Sequence, residues 1–288
     1  MRRAASVLVV AALLLAGCSD PPKSKLDRSG AVPRGASYVA LGDSYAAGPR
    51  LGPSSGAVGC EQTQGNYPHR LAERLGLDLT DVTCGGATTA DLAGSQTPPN
   101  GEPVPPQLDA LGADTDLVTI GIGGNDGKVF AELMTTCVGK AVEDRAGAPC
   151  TAEGAPFRVK AERHLAKLPG RMADVLAAIA ERAPKARIVV VGYPAAFPES
   201  GTCALLPLAR GDYPFARDYI SRVNDALAAA ADQAGATYVD VWAATDGHDI
   251  CATDPWIAGL IPAQPALEYH PYAQEQTVVT DLLVAELA

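Results

Sequence analysis

SYVALGDSYAAG, residues 37–48, runs through alternating Val, Ala and Leu, breaks at Gly-Asp-Ser and continues in small residues. An apolar run this brief reads as a strand rather than a buried helix, and it leaves Ser44 just past the strand's end. Four further runs read the same way: LDLTDVT (77–83), DLVTIGIG (116–123), ARIVVVG (186–192) and TYVDVW (237–242). Between them YPHRLAERLG (67–76), 158–183 and 214–234 carry helical spacing. A last helix is expected from Pro271 to Leu287, with Pro271 in its first turn, where a missing N–H is no loss. Strands alternating with helices predict a three-layer α/β/α sandwich around a five-stranded, mostly parallel sheet. Sites in such sheets form at the carboxyl ends of strands, where both Ser44 and Asn125 fall.

The N-terminus predicts the compartment. MRRAASVLVVAALLLAGC has two arginines, an apolar stretch and small residues before a cysteine, the pattern of a secretory signal peptide over residues 1–17. Leu15-Ala16-Gly17-Cys18 resembles a bacterial lipobox, which implies cleavage before Cys18, lipid on that cysteine and a protein held on the outer face of the membrane. Residues 18–35, polar with Pro and Gly, read as a flexible tether. Residues 36–288 suit one domain with a substantial core.

The chain has 33 acidic and 23 basic residues, a net charge of −10, and loss of residues 1–17 removes two arginines and no acid. Such a domain is not built for nucleic acid or for electrostatic docking on anionic lipid. Setting Cys18 aside, six cysteines remain: Cys60, Cys84, Cys137, Cys150, Cys203 and Cys251. An even number in an oxidising compartment predicts three disulfides, with the pairing left open. No CxxC or Cys-x-His pattern points to a metal. The long segments 48–66, 94–113, 137–157 and 195–212 hold many Pro and Gly and most of the cysteines, and read as loops fastened over the sheet.

A serine hydroxyl becomes a useful nucleophile when an imidazole takes its proton. Of four histidines, His69 and His164 lie in amphipathic helical stretches and are expected on the surface, while His248 lies in the polar loop TDGHDIC. His270, directly before the last helix, is best placed to point back over the sheet. Two motifs are decoys. Gly52-Pro53-Ser54-Ser55-Gly56 satisfies GxSxG but lacks the strand and helix that its turn needs. Gly121-Ile122-Gly123-Gly124-Asn125-Asp126 approaches GxGxxG but would set a carboxylate beside a pyrophosphate, so no nucleotide cofactor is expected.

Gly42-Asp43-Ser44-Tyr45, Gly85-Gly86-Ala87-Thr88-Thr89, Gly123-Gly124-Asn125-Asp126 and His270-Pro271 follow the order and approximate spacing of the four blocks of the SGNH (GDSL) hydrolases. The sequence most resembles the secreted actinobacterial lipase/esterase branch, across essentially the whole mature domain. The resemblance implies a flavodoxin-like SGNH fold and hydrolysis of carboxylic esters without metal or cofactor. It also implies Ser44 as nucleophile, His270 as general base, and an oxyanion hole of the Ser44 and Gly86 amides with the Asn125 side chain. A glycine at 86 would let backbone approach the reacting carbon. Asp43 and Asp126 are expected to be structural acceptors. The resemblance further suggests the pairs Cys60–Cys84, Cys137–Cys150 and Cys203–Cys251.

One position departs from the family. Where many members carry Asp three residues before the histidine, this chain has Leu267. The resemblance to dyad members implies that the main-chain carbonyl of Leu267 accepts the imidazole N–H, with Glu268, Asp246, Asp249 and Asp254 as alternatives. The expected protein is a monomer acting on a small-molecule, lipid or acylated-glycan ester. Its four Phe and two Trp mark no lipid-binding stripe. The rival is a lipoprotein that binds an envelope ligand on this fold without turning it over, and Leu267 is the one feature in its favour.

Overall fold

The computed structural model describes residues 30–288, so the expected signal peptide, Cys18 and most of the expected tether lie outside the described residues. Five strands form one sheet: β1 (Ser37–Gly42), β2 (Asp78–Asp81), β3 (Leu117–Gly121), β4 (Arg187–Val191) and β5 (Thr237–Val239). Their order is β2-β1-β3-β4-β5 and every pairing is parallel. That is the doubly wound 2-1-3-4-5 arrangement, with its switch point between β1 and β3.

Alternation along the strands assigns two faces. Tyr38 and Ala40 of β1, Leu117 of β3 and Val189 and Val191 of β4 meet α2 (Tyr67–Leu75) and α8 (Ala273–Leu287). Val39, Leu41, Val118, Ile120, Ile188 and Val190 face the opposite way, against α5 (Pro156–Arg182) and α6 (Tyr213–Ala234). The strands are short and apolar because each is covered on both sides. Asn66 caps α2, its side chain accepting from the His69 amide.

Several expected boundaries move. Pro271 forms an isolated bridge with Ile257 and lies outside α8, which begins at Ala273. The fifth strand ends at Val239, and Val241–Thr245 is a short helix, α7. Part of the expected loop over 137–157 is helical: α3 (Val129–Glu132) runs through a π turn (Leu133–Cys137) into α4 (Val138–Ala141). His164 faces the core, 4% exposed, its Nδ1 2.7 Å from the Tyr219 hydroxyl. Its place on the α5 stripe facing α6 outweighs the polarity of the ring. The three disulfides join Cys60 to Cys84, Cys137 to Cys150 and Cys203 to Cys251. Among the described residues, no helix is long and apolar enough to cross a membrane.

Among the described residues, several buried acids form no ion pair, and Glu275 is one of them. Glu275, in the first turn of α8, is 2% exposed, and its Oε2 accepts from Gln276 Nε2 at 2.8 Å. Burial pushes its carboxyl up to about 8, opposed by the Gln276 hydrogen bond. An acid bound more tightly to its proton in the folded chain contributes stability in full below the unfolded pKa, and loses it as pH rises through the folded one. Glu275→Gln is therefore expected to raise the melting temperature, with a gain that widens between pH 5 and pH 8. A gain that stays constant across that range would show that Glu275 ionises as freely folded as unfolded.

Candidate active site

The site sits at the carboxyl end of the sheet, around the ends of β1 and β3. Gly42 pairs with Gly121 across these strands. A Cβ at Gly42, where φ is +150°, would lie 2.6 Å from the Gly121 carbonyl oxygen, so only glycine permits this approach. Both polar groups of Gly42 are clamped by Gln107, whose Oε1 accepts from the amide at 2.8 Å and whose Nε2 donates to the carbonyl at 2.9 Å. Past this point Asp43 caps the four-residue helix α1 (Ser44–Ala47), accepting from the Tyr45 amide at 2.9 Å. Ser44 thus starts a turn aimed out of the sheet, and its side chain faces a cleft of about 470 Å³.

His270 reaches Ser44 from the loop before α8. Its Nε2 is 2.8 Å from Ser44 Oγ, and its Nδ1 is 2.8 Å from the carbonyl oxygen of Glu268. The accepting carbonyl is therefore that of Glu268, two residues before the histidine, and not that of Leu267. Tyr269 between them takes φ +63°, a tight left-handed turn that brings the nearer carbonyl under the ring. The Leu267 carbonyl instead accepts from the His270 backbone amide at 3.2 Å. A carbonyl on Nδ1 fixes the tautomer that leaves Nε2 free to accept the serine proton. The carboxylate of Glu268 points outward to Arg50, 3.6 Å away, with both side chains about half exposed. Asp246 pairs with Arg217, and Asp254 caps the edge of the Trp256–His248 stack. Asp249 accepts from the Cys251 amide.

Gly86 and Asn125 face the same cleft. Gly86 has φ +75° with no protein atom within 4 Å of the place a Cβ would occupy, so the residue answers to backbone conformation and not to crowding. Among the described residues, the amides of Ser44 and Gly86 donate to no protein acceptor. Asn125 Nδ2 donates one hydrogen to the Ala87 carbonyl at 3.1 Å, which leaves the second for the cleft. Asp126 ties these pieces together: it accepts from the Thr89 amide at 2.8 Å, the Thr89 hydroxyl at 2.7 Å and Arg171 at 2.7 Å. Asp43 and Asp126 are acceptors within the scaffold. The Cys60–Cys84 disulfide stands directly before Gly85, whose amide donates to the Cys60 carbonyl.

Tyr193, after β4, is missed by any reading of local motifs. Its hydroxyl donates to Asp43 Oδ2 at 2.6 Å and accepts from the Gly124 amide at 2.9 Å, linking the turn that bears Ser44 to the loop that bears Asn125. Burial pushes the Asp43 carboxyl up to about 7, opposed by these two donors, Tyr193 and the Tyr45 amide. The other histidines are engaged elsewhere: His69 on Asn66, His164 on Tyr219 and His248 stacked on Trp256. The apolar part of the cleft lining includes Phe130, Ala131, Met134, Ala196, Ile220 and Leu267.

A hydroxyl and an imidazole in contact at the switch point of a parallel sheet, with Gly86 and Asn125 lining the same cleft, form the arrangement expected of a serine hydrolase. The family model for GDSL-like lipases/acylhydrolases matches residues 40–274, and the chain belongs to that family of ester hydrolases. It is 42% identical over 244 residues to Lipase 2 of Streptomyces coelicolor, covering 82% of this chain and 80% of that protein. Among solved structures it is similar to phospholipase A1 of Streptomyces albidoflavus, with a TM-score of 0.71 and 29% identity over 88% of this chain and 99% of that one. The extracellular lipase of Streptomyces rimosus gives 0.69 and 28%, over 87% and 99%.

Burial in the cleft holds the His270 imidazole down to about 4; the Glu268 carbonyl and carboxylate oppose this, and Arg50 adds to it. A neutral imidazole is the form that accepts a proton. The acid limb of kcat/KM on p-nitrophenyl butyrate is therefore expected well below pH 6.5, approaching 4. A limb at or above 6.5 would mean that water reaches the ring freely.

Proposed function

We propose that Ser44 and His270 carry out ester hydrolysis in this chain as a dyad, and the contact of 2.8 Å between Ser44 Oγ and His270 Nε2 is the observation that supports it. Ser44 Oγ attacks the ester carbonyl carbon while its proton passes to His270 Nε2. The charge gathered on the carbonyl oxygen is met by the amides of Ser44 and Gly86 and by Asn125 Nδ2. The tetrahedral species collapses, and the leaving alcohol takes the proton from Nε2. Water then attacks the acyl-enzyme, returns a proton to His270, and releases the acid with Ser44 restored. Fixed donors lower both barriers because they need no rearrangement as charge develops, and losing one typically costs about 10²–10³ in rate.

The apolar lining residues, Phe130, Ala131, Met134, Ala196 and Ile220 among them, support an apolar acyl chain as the group the cleft takes. The chemistry is thus that of an esterase or lipase on a neutral apolar acyl group. The absence of an acid at position 267 does not favour a binding protein without turnover, since the Glu268 carbonyl meets the imidazole Nδ1 while the Leu267 carbonyl holds the His270 backbone amide.

The N-terminal pattern supports export, with residues 1–17 as signal peptide, lipid on Cys18 and residues 18–35 as the tether of a monomeric domain spanning 36–288. The extracellular lipase from S. rimosus is in keeping with a site of action outside the cytoplasm. Mass spectrometry of the membrane fraction is expected to find an N-terminal peptide that begins at Cys18 and carries acyl chains. An unmodified soluble form would leave secretion without the anchor.

The chemical reading is tested on p-nitrophenyl esters from acetyl to palmitoyl. Wild type is expected to turn over with a preference for acyl chains longer than acetyl. Ser44→Ala and His270→Ala are each expected to lose at least about 10³ in kcat, as loss of a nucleophile or its base does. Asn125→Ala is expected to lose about 10²-fold in kcat with little change in KM. Turnover by Ser44→Ala at the wild-type rate would remove Ser44 from the mechanism.

A further inference from the structure

With no carboxylate on Nδ1, something else must hold His270 and favour its cation as the serine proton arrives. Three observations converge on Tyr45, the residue after the proposed nucleophile. Its hydroxyl donates to the Tyr269 carbonyl at 2.8 Å, across 224 residues of sequence. Tyr269 sits at φ +63°, in the left-handed region that a tyrosine adopts only when its surroundings impose it. The Tyr45 ring lies 5.3 Å from the His270 ring, centroid to centroid, at an interplanar angle of 37°.

We propose that Tyr45 is the positioning residue of His270: its hydroxyl pins the strained Glu268–Tyr269–His270 turn that sets the Glu268 carbonyl on Nδ1, and its ring supports the imidazolium. The proposal rests on the Ser44–His270 reading above. The Glu268 carbonyl meets Nδ1 only while Tyr269 stays left-handed, because relaxation of that one φ turns the preceding carbonyl away from the ring. The opposite end of the turn is held independently, by the Ala258 amide on the His270 carbonyl at 2.9 Å and the bridge from Ile257 to Pro271. The hydroxyl of Tyr45 holds its middle through the backbone, beside the Tyr269 side chain that packs in the core.

The ring contributes separately. A π face within about 6 Å attracts a cation, and it does so more strongly where water is scarce. When His270 accepts the serine proton, the positive charge appears beside that face. The carboxylate of Glu268, two residues before His270, is half exposed and engaged by Arg50, so solvent and the guanidinium blunt its effect. Tyr45 is itself fixed on three sides. Its amide donates to Asp43, its carbonyl accepts from Gln276 Nε2 at 3.1 Å, and its ring meets Tyr193 and Phe130 edge-on.

Tyr45→Phe removes the hydroxyl and keeps the ring, and Tyr45→Leu removes both. Each is assayed with kcat expressed per active site titrated with a fluorophosphonate, so that partial unfolding does not count as lost catalysis. Proton NMR of the imidazole Nδ1–H, far downfield while it is hydrogen-bonded, is recorded alongside. For Tyr45→Phe, kcat is expected to fall about tenfold with KM unchanged, the cost of one lost hydrogen bond expressed in the transition state. The Nδ1–H signal is expected to move upfield or vanish by exchange. Tyr45→Leu is expected to fall by about a further tenfold for loss of the π face. Wild-type kcat in Tyr45→Phe overturns the proposal, as does a loss of kcat with the Nδ1–H signal in its wild-type place. Ser44→Ala, run in parallel, separates the two levels: turnover there sinks the dyad itself, whereas an inert Ser44→Ala beside a normal Tyr45→Phe sinks only the part assigned to Tyr45.

Discussion

The pairing of Gly42 with Gly121 is the constraint from which the rest of the site follows. Two strands that run parallel and end in register deliver their following residues to one place, and only then do Asp43-Ser44 and Gly124-Asn125 stand side by side. The approach is so close that a side chain at Gly42 would strike the backbone of its neighbour. Everything added around that point secures it. Gln107 closes on Gly42 from one side, Tyr193 bridges Asp43 to Gly124, and Asp126 draws in Thr89 with the loop that bears Gly86. The groups expected to meet the reaction are few, and the groups that place them are more numerous and more deeply buried.

Polar groups in this scaffold are kept in unusual states by lack of water and not by strong partners. Asp43 is held towards its neutral form, Glu275 more so, and His270 is held away from its cation. The three shifts share one main cause, burial, and all favour the uncharged species. A neutral histidine at rest suits a base. It also means that the imidazolium formed in mid-reaction is costly unless the surroundings favour it, which a single carbonyl does weakly.

The sequence shows what is encoded within a few residues. The strands are legible because a run covered on both faces must be apolar along its length. Ser44, Asn125 and the loop of His270 are legible because each sits immediately after or before a regular element. What it hides depends on contacts far apart in the chain. Tyr193 meets Asp43 across 150 residues and Gln107 meets Gly42 across 65, with nothing local to mark either. His164 reads as a polar residue on an amphipathic helix because the stripe that α6 covers is wider than the pattern suggests. The choice between the Leu267 and Glu268 carbonyls turns on one φ angle at Tyr269, which residue identity alone does not set.

The wall from Val129 to Ala141 is a different kind of structure from the sheet it leans on. It is two single turns of helix around a π turn, joined by the Cys137–Cys150 bond to the stretch before α5. It supplies Phe130, Ala131 and Met134 to the cleft, yet it contributes no strand and no hydrogen bond to Ser44 or His270. Its inner side, Val129, Leu133 and Cys137, is locked into the core, while Phe130, Ala131 and Met134 turn to the cleft. Ser44 is thus set by the end of a strand, whereas the apolar side chains facing it come from an irregular helical segment that a disulfide, and not a sheet, holds in place.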